Sequence, residues 1–482
     1  MTAAQAPVGS PTILDWMDHP DIWGSWFRDP VTWRAWRVFL AALFGLPVSR
    51  KDRALYRECT GRAAPSKSGF LAAWLVVGRR GGKSLILALI AVFLAFSQDW
   101  SPFLAPGERG TIMVIATDRK QARVIYRYAH ALISEVPVLA RFIERVTEET
   151  IDLSNRVTIE ISSASFRRVR GYTLIAALLD ELAFWRSEES ANPDEEIIAA
   201  LRPAMATIPG AMLLSGSSPY ARRGALWNAF RRHFGKNDAP ELVWKAATRT
   251  MNPSVPQSVI DEAIERDPAN AAAEFGGEFR TDIEGFVSRE IVEALVEPGR
   301  FELPRIHGVA YSGFVDPAGG SGQDAYTLAI AHQDQKTKAV VVDLLRERRP
   351  HFSPEQVTTE FADQLKAYGC TKVMGDRWGG EFPREIFRKH GIAYEISEKP
   401  KSDLYRELLP ILNAGQIELL DHPRLIAQLC GLERRTARGG RDSIDHAPLA
   451  HDDICNAVAG VAVLVNFRQQ PMRFSQAGLA MI

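Results

Sequence analysis

Residues 76–84 read Val-Val-Gly-Arg-Arg-Gly-Gly-Lys-Ser, and the next twelve, Leu85 to Phe96, are all apolar. An apolar strand that runs through a glycine-rich turn into a buried helix commits the region to a layered α/β fold. In such a turn Gly81 and Gly82 let the backbone curl with its N–H groups inward. Lys83 can then reach the outer phosphates of a nucleotide, Ser84 can ligate Mg²⁺, and the helix points its positive end at the anion. Gly78 and Arg80 complete the loop. The usual pattern G-x-x-x-x-G-K-[ST] places a glycine at 77, whereas this chain has Val77 and then Gly78. Twelve apolar residues are too few to span a bilayer, so the helix is expected to be buried.

Strands and helices alternate after this point: strands at 71–78, 111–116, 174–180 and 211–217, with helices at 84–96 and 118–133. Short apolar strands separated by longer helical patterns predict a parallel sheet covered on both faces. The strand LIAALLD ends in Asp180 and continues into Glu181. Asp180 is placed to hold magnesium, and Glu181 to orient and deprotonate an attacking water. Ser215, Gly216 and Ser217, after another strand, sit where a third loop of such a sheet would sense the γ-phosphate. Arg79, four residues before Lys83, can neutralise charge on a transferred phosphoryl group or be a surface arginine.

The C-terminal half has a different texture. Residues 246–300 are rich in turns, with a helical stretch at 261–279 and an extended one at 285–299, and are read as a connection. Beyond 305 come three meandering strands (308–316, 325–333, 338–347), a helix (352–369) and a strand ending at Asp376. This order predicts a mixed sheet of the ribonuclease H type. Asp316 and Asp376 close strands, and Asp452 and Asp453 open a helix whose Ala457, Ala459 and Gly460 allow close approach to the sheet. Singly, each is as readily a turn residue or helix cap. Together, three carboxylates can hold two Mg²⁺ or Mn²⁺ ions. Asp453 is favoured over Asp452, because neighbouring helical residues point about 100° apart and only one can face the metals squarely. Asp445 and Asp324 are weaker supporting candidates.

The whole composition suits such a chain. Of its 482 residues, 46% are hydrophobic and 24% charged, enough for two or more domains with their own cores. Basic and acidic residues balance at 58 each, so nucleic acid must be met by local patches. The patches are 167–171, 221–236 (with Arg222, Arg223, Arg231 and Arg232), 346–350, and 433–441 (with Arg434, Arg435 and Arg438). Four scattered cysteines, with no C-x-x-C spacing, predict neither disulfides nor zinc. The N-terminus lacks a charged segment followed by an apolar one, so no secretory signal is expected.

The set GRRGGKS, ATDRKQA, LLDE and SGSS, followed by a carboxylate nuclease, resembles the large terminase subunit of tailed bacteriophages over roughly residues 20–470. The resemblance implies an N-terminal P-loop ATPase domain (1–245, helical to about 70), a connecting subdomain (246–300), an RNase H-like endonuclease domain (301–470) and a flexible tail (471–482). It implies phosphate binding by Lys83, magnesium ligation by Ser84 and Asp180, catalysis by Glu181, an arginine-finger-like role for Arg79, and coupling through Ser215–Ser217. The implied activity is ATP-driven packaging of double-stranded DNA, with a two-metal cut of concatemeric DNA at either end of the process. ATP and Mg²⁺ are the expected cofactors, with Mn²⁺ able to substitute in the nuclease site. Expected partners are double-stranded DNA, a portal protein, a small terminase subunit and further copies in a ring, a pentamer during packaging and a monomer in solution. The expected location is the host cytoplasm, docked transiently on the procapsid. One rival, a helicase or repair translocase with a fused nuclease, requires a second motor lobe for which 246–300 is too short. Another, a DNA-binding protein with relic motifs, sits badly with intact Lys83, Glu181, Asp316 and Asp376.

Overall fold

A computed structural model describes residues 10–164, 171–187, 190, 192–376, 382–436, 442–448 and 450–467. The chain divides into two compact units, one of residues 1–186 and 192–281, the other of 187–191 and 282–482. Among the described residues no helix is long and apolar enough to cross a membrane.

The first unit is built on eight strands: β1 (Ala72–Val77), β2 (Gly110–Ala116), β3 (Ile143–Val146), β4 (Thr150–Leu153), β5 (Val157–Ser163), β6 (Thr173–Asp180), β7 (Met212–Ser217) and β8 (Leu242–Ala246). Their order in the sheet is β3-β4-β5-β2-β6-β7-β1-β8. From β5 to β8 every pairing is parallel, and β3 and β4 add an antiparallel edge. Successive side chains of a strand alternate faces, and β1 shows how this builds two layers. Ala73, Leu75 and Val77 pack with helix Lys83–Phe96 and the N-terminal aromatics Trp23, Phe27, Trp36 and Phe39. Trp74 and Val76 face the opposite layer, with Ile197 and Leu201 of helix Pro193–Met205 and Leu226 of helix Gly224–His233. The expected two-sided burial of a parallel-rich sheet is present. Because β6, β7 and β1 are adjacent and parallel, their carboxyl ends bring three loops to one edge, with Asp180 in register with Gly216 and Ser217 with Val76.

The second unit continues with β9 (Ile283–Gly285), β10 (Tyr311–Asp316), β11 (Tyr326–Gln333), β12 (Val340–Arg348), β13 (Lys372–Gly375), β14 (Ala393–Ile396), β15 (Ile417–Glu418), β16 (Leu432–Thr436) and β17 (Asp442–His446). Six form a mixed sheet in the order β14-β13-β10-β11-β12-β15, and β17-β16-β9 form a small separate sheet. β10, β11 and β12 are an antiparallel meander, and β13 and β14 run parallel to β10. This is the ribonuclease H arrangement, and it sets the ends of β10 and β13 side by side. One face carries helices Lys401–Asn413 and Asp453–Phe467, and the other carries helix Pro354–Ala367.

Residues 246–300 divide between the units, 246–281 packing with the first and 282–300 with the second. Within them the stretch read as extended is partly helical. Ser288 caps helix Arg289–Ala294 by accepting from the Ile291 N–H, and Val292 is fully buried. The Ser288 cap and the buried Val292 favour a helical turn where the stretch was expected to be extended. The tail 471–482 lies outside the described residues.

The small residues of the last helix do what their size allows. Ala457 and Ala459 are fully buried, and a Cβ on Gly460 would overlap the ring of Phe314 in β10. Gly460→Ala is expected to destabilise the second unit by about 1–3 kcal/mol through overpacking, read as a lower denaturation midpoint. An unchanged midpoint would show that the ring can shift aside.

Candidate active sites

At the shared edge of β1, β6 and β7 the glycine loop has the backbone its chemistry asks for. Gly82 caps the helix at φ 98° and Arg80 sits at φ 65°, both left-handed. Gly78 has no room for a side chain, since a Cβ would collide with Thr248 and lie 2.7 Å from the Phe275 carbonyl oxygen. The loop is held from outside. Trp36 Nε1 donates to the Gly81 carbonyl at 2.9 Å, Thr248 Oγ1 to that of Arg79 at 2.8 Å, and Asn252 Nδ2 to that of Arg80 at 2.9 Å. Arg79 is mostly exposed and pairs with Glu274 at 3.3 Å. Ser84, second in the helix, is half-buried.

Lys83 is buried, and its ammonium donates to the Val77 carbonyl at 2.9 Å and to Ser218 Oγ at 3.1 Å, 3.3 Å from Glu181 Oε1. Glu181 takes a left-handed backbone (φ 49°, ψ 43°), rare for a residue with a Cβ. The turn is pinned by its N–H to the Gly216 carbonyl at 2.8 Å. Its Oε2 accepts from the Ser218 N–H at 3.0 Å and from Ser217 Oγ at 3.3 Å. The carboxylate thus links the loop after β6 to the loop after β7. Asp180 is buried, and among the described residues its Oδ1 has no hydrogen-bond partner, nor has Ser215 Oγ. Burial first, then the neighbouring Glu181, push the Asp180 carboxyl up to about 7 against the pull of Lys83. An orphaned buried carboxylate oxygen beside a serine-ended phosphate loop fits a divalent cation, which Asp180 and Ser84 would hold.

That raised value carries a stability consequence. A carboxyl titrating near 7 in the fold and near 3.8 when unfolded contributes stability below pH 4 that is lost as pH rises through 7. Asp180→Asn removes the titration. Without nucleotide or magnesium it is expected to be more stable than the wild type at pH 8, on the order of a few kcal/mol, with the gap closing below pH 4. Denaturant titrations at the two pH values measure this, and equal midpoints at pH 8 would contradict it.

The second unit gathers its acids around one helix. Asp316 ends β10 and Asp376 follows β13, and both accept from Nδ2 of Asn456, at 2.9 Å and 3.0 Å respectively. Asp453 Oδ2 accepts from the Ala325 N–H at 3.0 Å. Asp452 Oδ2 accepts from Tyr405 Oη at 2.9 Å and lies 2.8 Å from Lys401 Nζ. The four carboxylates stand close enough to disturb one another. Burial, then Asp376, Asp453 and Asp452, raise Asp316 well above the usual carboxylate range. Burial raises Asp376 despite Asn456 and Lys401, and lifts Asp453 to about 6. Crowded acids from two strands and a helix are the donor set of hard divalent ions. Both halves of the Asp452–Asp453 pair are placed against the cluster, with Asp453 turned toward Ala325 and Asp452 toward Lys401. Of the supporting candidates, Asp445 lies 3.0 Å from Lys401 and Asp324 lies 3.5 Å from His451. Asp445, His446 and Asp452 could themselves group around a cation, and Lys401 bridges two of them.

Residues 55–209 match the family described as terminase large subunit, ATPase domain. Over those residues the chain resembles a terminase large-subunit ATPase domain. The matched segment contains Gly78 to Ser84 and Asp180–Glu181, and ends before Ser215. No curated protein sequence matches the chain. Solved structures similar to it include the HK97 bacteriophage large terminase (16% identity, 90% of this chain and 94% of that one, TM-score 0.38). The large terminase of a thermophilic bacteriophage, in complex with ADP, is 13% identical over 87% and 100%, with TM-score 0.36. The large terminase nuclease from thermophilic phage G20c with bound magnesium is 18% identical over 34% and 92%, with TM-score 0.28.

The basic patches are less uniform than their sequence. In the first unit Arg222, Arg231 and Arg232 are exposed, and Arg222 lies over the Trp227 ring at 5.5 Å; Arg223 is half-buried. In the second unit Arg434 pairs with Asp442 at 2.6 Å and Arg435 with Glu433 at 3.2 Å, so part of their charge is spent within the β16–β17 hairpin. Arg438, and residues 167–170 of another patch, lie outside the described residues.

Proposed function

We propose that the chain is the packaging motor of a tailed bacteriophage: ATP hydrolysis drives double-stranded DNA into a procapsid, and a two-metal endonuclease cuts the concatemer at initiation and termination. The observation that carries this reading is the presence, in one chain, of a Lys83–Glu181–Ser218 nucleotide constellation and an Asp316–Asn456–Asp376 carboxylate cluster.

The residues divide the work. Lys83 binds the outer phosphates. Ser84 and Asp180 would hold magnesium, which when bound neutralises charge on the phosphates. Glu181 orients water and takes its proton, and its bonds to Ser217 and Ser218 carry the state of the phosphate site to the loop after β7. Arg79 supplies positive charge, in its own site or in a neighbour's. Asp316, Asp376 and the Asp452–Asp453 pair would hold two Mg²⁺ or Mn²⁺ ions, whose chemistry there would be activation of water and stabilisation of the departing oxygen. Exposed arginines of 222–232 contact DNA phosphates without reading sequence, so binding weakens steeply with salt. The chain acts as a ring docked on a portal, with a small terminase subunit as partner, in the host cytoplasm.

The test is DNA protection. Purified chain, ATP and Mg²⁺ are mixed with portal-bearing procapsids and linear double-stranded DNA, then treated with DNase. ATP-dependent protection of long DNA is the expected result. DNA-independent ATP hydrolysis with no protected DNA would overturn the motor reading.

A further inference from the structure

The acids of the second unit lie around a side chain that is neither acidic nor charged. Asn456 is fully buried on helix Asp453–Phe467, one turn beyond Asp453, and its N–H donates at 2.8 Å to the carbonyl of Asp452, which precedes the helix. Its single Nδ2 spans Asp316 and Asp376, which come from different strands, at 2.9 Å and 3.0 Å. Its Oδ1 is buried with no hydrogen-bond partner among the described residues. A buried amide oxygen left unmatched costs free energy, and the fold accepts that cost at the centre of the cluster.

The helix is locked in the rotation this requires. Gln428 Oε1 accepts from the Ile454 and Cys455 N–H groups, each at 3.0 Å. Thr327 Oγ1 donates to the Asp453 carbonyl at 2.8 Å, Ala325 N–H donates to the Asp453 carboxylate, and Gly460 lets the next turn lie against Phe314. Each contact fixes where Asn456 points.

We propose that Asn456 is the positioning residue of the carboxylate cluster: its amide holds Asp316 and Asp376 together, facing each other, at the spacing from which they take up a divalent cation. This rests on the two-metal reading above. Two anionic groups on neighbouring strands repel, and without a shared donor they would turn apart. A lysine at 456 would bring them together but compete with the metal as a fixed cation. An aspartate would add a fifth negative charge and no donor. A neutral amide with two hydrogens is the side chain that joins two acids while leaving their charge for an ion. The orphaned Oδ1, on the same carboxamide, adds an acceptor for a metal-bound water.

The experiment is Mn²⁺ titration of the full chain without nucleotide, following free Mn²⁺ by electron paramagnetic resonance. The sites of interest are those that Asp316→Asn removes. Asn456→Ala and Asn456→Ser are expected to weaken those sites about tenfold or more, the usual effect of removing a group that orients a metal ligand. The serine variant keeps a polar group and covers the case in which alanine does not fold. ATP turnover serves as a check that the first unit is intact. If both variants bind Mn²⁺ as the wild type does while Asp316→Asn does not, Asn456 is only a packing residue and the proposal fails while the metal reading stands. If the wild type takes up no Mn²⁺, or Asp316→Asn takes up as much, the metal reading fails and the proposal with it.

Discussion

Glu181→Gln is expected to lower ATP turnover about 10²–10⁴-fold while leaving metal-dependent DNA cleavage unchanged. The substitution keeps the shape of the side chain and an oxygen that can accept from the Ser218 N–H, now 3.0 Å from Oε2. It removes the base, and with it the charge that sits 3.3 Å from the Lys83 ammonium. Nucleotide binding should therefore survive, since Lys83 loses a competitor for its own charge and keeps its contact with Ser218. The measurements are steady-state ATP hydrolysis, nucleotide affinity and plasmid cleavage with Mn²⁺, all on the full chain. Loss of cleavage along with hydrolysis would refute the independence of the two sites, and full hydrolysis would remove Glu181 from the chemistry.

What the amino-acid sequence disclosed follows from the range of its signals. β1 and the body of β6 (Leu174–Leu179) are continuous apolar runs, and β7 opens on the short run Met212–Leu214; apolar runs bounded by turns are legible one at a time. The edge strands β3 and β4 were not: β3 has three exposed residues of four, and its pairing with β4 depends on contacts rather than on pattern. β14, β15 and the β16–β17 hairpin escaped for the same reason, being short and half-exposed or buried only by distant elements.

The sites divide likewise. Gly81 to Ser84 and Asp180–Glu181 are local motifs. The residues that hold them come from far along the chain: Trp36 against the Gly81 carbonyl, and Thr248, Asn252 and Glu274 against the loop's first turn. Ser215–Ser217, read as a loop, are the last residues of β7, and Ser218 just beyond them gives its N–H to Glu181, which makes it a closer partner than the spacing suggested. Lys401 and Tyr405, one helical turn apart, reach Asp452 from another helix. Asn456 alone had a local signal, the one-turn step from Asp452 and Asp453, which aspartate-centred reasoning passes over.

Asp316→Asn should do the reverse of Glu181→Gln. DNA cleavage with Mg²⁺ or Mn²⁺ is expected to fall on the order of 10³-fold or more, since each factor of ten corresponds to about 1.36 kcal/mol of barrier and metal ligation is worth several kcal/mol. ATP turnover should stay at the wild-type rate. The substituted amide can still accept from Asn456 through its oxygen, so the loss reports charge rather than collapse. Stability gives an independent reading. Burial and the neighbouring aspartates hold the Asp316 carboxyl well above its ordinary value, so its contribution to stability is present at low pH and is lost as pH rises through the raised pKa. Without metal at neutral pH, Asp316→Asn should therefore unfold at a higher temperature than the wild type. Adding Mn²⁺ should stabilise the wild type and not the variant, because a ligand that binds only the folded state raises its midpoint. The two melting curves are expected to exchange order on metal addition. Curves that keep their order would mean that Asp316 carries no ion, and the two-metal reading would lose its first ligand.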